Sequence, residues 1–161
     1  MLHAMTSPRA LESFEFRDPG TVVTEVLAQL YARAGDAYLV LVREPSGLQL
    51  VEQVVQVDTD QWQQLDRYDR SQLLADSVDA MPVPEWTSGS SPRHAVMTIV
   101  VRNGLAVLGG PEADWLFAWR YANTVAHVFK GDLVLVTEHG WTDFMTGWGA
   151  TSPRLVAGAP R

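Results

Sequence analysis

Apolar and polar positions follow two different periods along the chain, and each change of period marks an element. In RDPGTVVTEVLAQLYARAG (17–35), Val22, Val23, Val26, Leu27 and Leu30 fall on one helical stripe. Asp18 can cap that helix, Pro19 suits its first turn and Gly35 its exit. AYLVLVRE and LQLVEQVVQV then read as two strands about a turn of Pro45, Ser46 and Gly47. In the second strand Leu48, Leu50, Glu52, Val54 and Gln56 share one parity, and Gln49, Val51, Gln53, Val55 and Val57 the other. Neither parity is cleanly polar, so the pattern assigns no inner face. Residues 59–81 predict one helix capped by Thr59 or Asp60. Its apolar side is Trp62, Leu65, Leu73, Leu74 and Val78, and Asp66, Arg67, Asp69 and Arg70 are solvated neighbours.

After the Pro/Gly/Ser loop PVPEWTSGSSPR, the run HAVMTIVVRNGLAVLGG predicts a hairpin, because Asn103-Gly104 between apolar strands is a type I′ signal. Residues 111–130 predict a long helix with Pro111 in the first turn, Glu112 and Asp114 at its positive end, Lys130 at its negative end and Gly131 as cap. Trp115, Trp119, Tyr121, Ala122, Val125, Ala126, Val128 and Phe129 cover more than half of its circumference, which calls for burial on both sides, against a second copy of the chain included. The remaining stripe carries Arg120, Asn123, Thr124 and His127, of which Arg120, Asn123 and His127 are candidates for binding an anion or carboxylate. DLVLVTE is a continuous apolar run, the pattern of a strand buried on both faces.

The order helix, hairpin, helix, hairpin, helix, strand predicts one α+β domain over 18–150, a mixed, mostly antiparallel sheet with helices packed on it. An extended N-terminal segment, 1–17, precedes it and a C-terminal tail, 151–161, follows. The length of 161 residues suits a single domain with a sizeable core. A net charge of −7 repels phosphate backbones and argues against general nucleic-acid binding. No apolar run reaches the ~18 residues of a membrane span, and no basic-then-apolar leader is visible. The lack of cysteine removes disulfides, thiolate ligands and cysteine nucleophiles, and fits a reducing cytoplasm. Lys130 is the sole lysine among 12 basic residues, which matches a high-GC bacterial coding style.

The most site-like stretch is LVLVTEHGWTDFMTGWG (133–149), where an apolar strand breaks into Glu138, His139, Gly140 and then Asp143. Glu138, His139 and Asp143 are the catalytic candidates, since a general base needs a carboxylate–histidine contact and strand ends favour ligands. The competing reading has His139 bonded at a turn while Trp141, Phe144 and Trp148 close the core. Adjacent residues on a strand face opposite ways, so Glu138 and His139 cannot chelate one ion without a bend. No HExxH, HxH or DxH spacing is present, and His3, His94, His127 and His139 are well separated, so no metal or cofactor is expected. Nucleophile-elbow and phosphate-loop layouts are missing too.

From HAVMTIVVRNGLAVLGG through the helix to DLVLVTEHGWTDF, the order and lengths resemble the core of JAB/MPN metallo-isopeptidase-like and RadC-like domains. That family's metal motif is His-x-His, seven residues, then Ser-x-x-Asp. Its spacing falls here on Val101, Asn103, Pro111 and Asp114, and only Asp114 matches. The resemblance therefore implies a zinc-free relative to which the family's hydrolysis does not carry over. Together with the missing catalytic constellation, this leads to the expectation of a non-catalytic binding or scaffolding protein with a protein partner, a homodimer included. The alternative is a small hydrolase or lyase using His139 with Glu138 or Asp143.

Overall fold

A six-stranded sheet runs through the computed structural model, which describes residues 11–156. Its strands are β1 (Ala37–Arg43), β2 (Leu50–Gln56), β3 (His94–Val101), β4 (Val128–Thr137), β5 (Gly140–Asp143) and β6 (Gly149–Ala150), in the spatial order β2-β1-β3-β4-β5-β6. The β3–β4 pair is parallel and the other four pairs are antiparallel. The fold is thus α+β, with a mixed, mostly antiparallel sheet. The central strands alternate strictly: Ala37, Leu39, Leu41, Val96, Val100, Leu133 and Leu135 face one side, and Tyr38, Val40, Val42, Met97, Ile99, Val134 and Val136 the other.

Helix α1 (Pro19–Gln29) covers the second side with Val22, Val23 and Val26, joined by Phe16 and Trp141. The Asp18 carboxylate caps it through Thr21 N–H, and the buried Gln49 side chain clamps both backbone groups of Asp18. It is shorter than the apolar stripe predicts, because the chain turns extended at Leu30 and reverses through Gly35 at φ +97°. The first side is covered by α2 (Thr59–Gln64), α3 (Arg67–Asp79) and α4 (Gly110–Tyr121). Trp62 of α2 stacks on Trp115 of α4 with ring centroids 3.7 Å apart, and Trp119 donates its indole N–H to the buried Thr98 hydroxyl.

Four sequence expectations need correction. The helix 59–81 is two helices, because Asp58 and Asp66 each accept a backbone N–H and start separate N-termini. The break folds Arg70 over Trp62, so Arg70 is not a solvated neighbour: it donates to the Trp62 carbonyl and meets Asp114 at 3.4 Å. Asn103-Gly104 is not the tip of a hairpin. Both edges of β3 are taken, by β1 and by β4, so residues 105–109 have no strand to pair with. The helix predicted over 111–130 ends at Tyr121, and Val128–Lys130 already belong to β4. Asp79 captures Val125 N–H and Ala126 N–H, and Glu85 bridges Ala126, which draws the chain out of the helix. With its tryptophans buried against the sheet and α2, the shorter α4 loses the broad apolar face expected to need a second copy.

Two β-bulges explain what strand parity alone leaves unassigned. In β2, Leu41 pairs Gln53 and Val42 pairs Val51, so Glu52 is the extra residue and the alternation breaks there. In β4, Val96 pairs Lys130 and Thr98 pairs Leu133, leaving Gly131 and Asp132 opposite Met97 alone. Lys130 reaches the C-terminus of α4 from this strand rather than from within the helix, donating to the carbonyls of Trp119 and Ala122. A Cβ on Gly131 would stand 2.5 Å from the Val96 carbonyl oxygen, so only glycine fits the bulge. Gly131→Ala is expected to lower stability by about 1–3 kcal/mol in denaturant unfolding. Gly110→Ala, where a Cβ meets nothing within 4 Å, is expected to leave stability unchanged or slightly raised.

Candidate functional site

The loop between β3 and α4, residues 102–109, is the most heavily tethered irregular segment. Arg102 Nε donates to both carboxylate oxygens of Glu112 at 3.2 Å, and Nη2 donates to Oε1 at 2.6 Å. The same guanidinium donates to the carbonyls of Asn103, Leu105 and Val107, the groups a hairpin ladder would have used. Glu112 is fully buried and also accepts Gly109 N–H at the start of α4. Its carboxylate holds the Arg102 guanidinium above its ordinary pKa. The network leaves Leu105, Val107 and Leu108 turned to solvent, with Leu105 68% exposed.

The site-like stretch turns out to serve this loop. Glu138 accepts Gly104 N–H through both carboxylate oxygens at 3.0 Å, and Thr142 Oγ1 donates to the Ala106 carbonyl at 2.7 Å. The backbone N–H groups of Glu138 itself and of Gly104 hold the Glu138 carboxyl below the usual carboxylate range. His139 sits in the β4–β5 turn, its side chain more than half exposed, its N–H on Thr137 Oγ1 and its Nε2 3.6 Å from Glu138. Asp143 lies at the other end of β5, about 10 Å along the strand from Gly140. Glu138 and His139 are therefore neighbours, while Asp143 joins neither. Trp141 is buried over α1, whereas Trp148 is half exposed and does not close the core.

Arg120, Asn123 and His127 do not share a helix face. Arg120 is on α4 over the Tyr121 ring, Asn123 is in the following loop, and His127 precedes β4. His127 is buried, with its backbone N–H on the Pro84 carbonyl and its Nε2 without a hydrogen-bond partner among the described residues. It lines a 310 Å³ cleft with His94, and His94 pairs with Glu52 at 3.1 Å. His139 joins neither histidine, and His3 lies outside the described residues.

Val101, Pro111 and Asp114, three of the four positions marked by the JAB/MPN spacing, line one cleft of 320 Å³ with Arg70 and Arg102. The fourth, Asn103, is exposed. This set does not fit zinc: the cleft holds no histidine, and its two carboxylates, Asp114 paired with Arg70 and Asp36 accepting Arg33 N–H and Tyr38 O–H, face two guanidinium groups. Among the described residues no group of three or more His, Cys, Asp or Glu is placed to hold a metal ion. No family model, curated protein or solved structure matches the chain. Nor is any helix of the described residues long and apolar enough to cross a membrane.

A cleft of 530 Å³ opens elsewhere, between residues 11–16, the first half of β4 and the turn after β5. Its polar floor is Asp132, which the β4 bulge turns toward the α1 side of the sheet, 6% exposed. Asp143 lies behind it, fully buried, holding Met145 N–H with Oδ1. Among the described residues no N–H or O–H donor reaches Oδ2 of either carboxylate. Asp132 beside Asp143 keeps its proton well above the ordinary carboxylate range. Burial first, then the hydrogen bond and charge of Asp143, push Asp132 up to about 9. Sequence reasoning singled out Asp143 but missed Asp132. Its one signal was an acid entering an otherwise apolar strand directly after a glycine. An acid whose folded-state pKa is raised stabilises the fold below its unfolded value near 4, and that contribution is lost as pH rises toward 9. Stability is therefore expected to fall over this window by up to about 1.4 kcal/mol per pH unit from this proton, and Asp132→Asn is expected to flatten that slope in urea unfolding.

Proposed function

We propose that the chain is a zinc-free JAB/MPN-like domain that works by holding a protein partner, in the first instance a second copy of itself, on the loop 102–109. One observation carries this reading. A multiply bonded ion pair, its Glu112 carboxylate buried and its Arg102 guanidinium partly exposed, rigidifies a loop whose aliphatic side chains point to water. Removing Arg102 would leave the buried Glu112 carboxylate uncompensated, so the loop is held in place. A rigid apolar loop loses little entropy on docking. In support, a strand, a helix and two strands follow in the order β3–α4–β4–β5, though without the hairpin after β3, and Val101, Pro111 and Asp114 line one cleft that Asn103 does not. The residues there supply binding surface rather than metal ligands. The hydrolase alternative keeps the Glu138–His139 contact at 3.6 Å, but Glu138 is engaged by Gly104 N–H and Asp143 is remote from His139, which favours a role in holding the loop.

Two experiments test the reading. In sedimentation over a concentration series, the wild-type chain is expected to associate. A Leu105→Asp/Val107→Asp variant is expected to stay monomeric with an unchanged melting temperature. A wild-type chain that stays monomeric throughout, or an equally associating variant, would contradict the loop as the docking surface. In calorimetric titration with zinc, no stoichiometric uptake is expected; uptake that Asp114→Ala removes would overturn the zinc-free assignment.

A further inference from the structure

We propose that the 530 Å³ cleft over Asp132 binds an organic ammonium ion, an amine carrying an apolar group, with Asp132 as its counter-ion. This inference is independent of the partner-binding loop.

The volume suits a small organic molecule. The walls are mostly aromatic or soft: Phe14, Phe16, Phe129, Met145 and Trp148. The rings of Phe14 and Phe129 stand 5.8 Å apart and tilted at 59°, so the two rings offer differently oriented faces. Ring faces attract cations, and an alkylammonium is far easier to desolvate there than a small metal ion. The floor carries the complementary charge. Asp132 is more than nine-tenths buried, lines the cleft, and its Oδ2 lacks a donor among the described residues. The acids facing it are Asp143 from β5 and Glu15 from the N-terminal segment. Lys130, two residues before Asp132 on β4, also lines the cleft, but its ammonium is engaged by the Trp119 and Ala122 carbonyls at the end of α4. The field in the cleft therefore favours a cation and repels a carboxylate or phosphate.

Acid–base catalysis by the pair is disfavoured by its geometry. Asp143 is fully buried and does not line the cleft, so a ligand reaches Asp132 alone. The proton on Asp132 gives binding a chemical signature. An arriving ammonium takes its place, leaving Asp132 as the carboxylate, and the proton leaves to the buffer. No bond to the ligand forms or breaks.

The test is isothermal titration of the whole chain at pH 7 with phenethylammonium, 2-phenylethanol and phenylacetate, in two buffers of different ionisation enthalpy. The amine is expected to bind with release of about one proton, because free Asp132 holds one at this pH. The alcohol, of the same shape but neutral, is expected to bind at least about tenfold more weakly. Phenylacetate is expected to be weakest. Asp132→Asn is expected to bring the amine down to the level of the alcohol while melting no lower than wild type, since it removes a buried acid without a donor. Trp148→Ala, at a half-exposed position, is expected to weaken the amine without changing the fold. The proposal is overturned if the amine does not bind, if the alcohol or the acid binds as well as the amine, or if Asp132→Asn leaves amine affinity intact.

Discussion

The guanidinium of Arg102 and the carboxylate of Glu112 meet where β3 ends, where the irregular loop begins and where α4 starts. A buried carboxylate without a partner is costly, and an irregular loop without a ladder leaves carbonyls unpaired. One interaction solves both problems. Glu112 receives a bidentate cation, and that cation's remaining N–H groups take three loop carbonyls. The crossover that lets β4 run parallel to β3 starts from this junction, so the central pair of the sheet depends on it. The loop is closed from its far side by Glu138 and Thr142, so the turn that looked catalytic is part of the same scaffold.

The second constraint is the bulge in β4. One extra residue at Gly131–Asp132 changes which face the strand presents, and an acid ends up under an aromatic cleft instead of at an exposed edge. The same strand sends Lys130 to the last carbonyls of α4, on the opposite face. The two constraints act at opposite ends of the β3–α4–β4 unit. One end holds an apolar loop out to solvent, and the other holds a charged group away from it.

Much of the architecture was legible in the sequence. The Val/Leu-rich run of β1, the continuous run of β4 and the Asp18-Pro19 start of α1 are local signals, and the fold is α+β with a mostly antiparallel sheet. What failed was non-local. Asn103-Gly104 has the chemistry of a hairpin tip, but a hairpin needs a free strand edge, and β1 and β4 occupy both edges of β3. Residues 122–130 continue a helical apolar pattern, yet Asp79, 46 residues away from Val125 in sequence, captures their amides and ends the helix. Arg70 looked solvated because no pattern announces that Leu65–Asp66 is a break. For the site, the adjacency of Glu138 and His139 was legible, but Arg120, Asn123 and His127 lose their common stripe because α4 ends at Tyr121. Asp132 went unseen because a bulge has no signature beyond a glycine.

The central claim is that Arg102 fixes the loop, and amide hydrogen exchange measures this directly. The account predicts slow exchange at Gly104 and Gly109, whose N–H groups lie on Glu138 and Glu112. In Arg102→Met those two amides should exchange freely while the amides of β1 and β3 stay protected. Fast exchange at Gly104 and Gly109 in the wild-type chain, or protection that survives Arg102→Met, would contradict it.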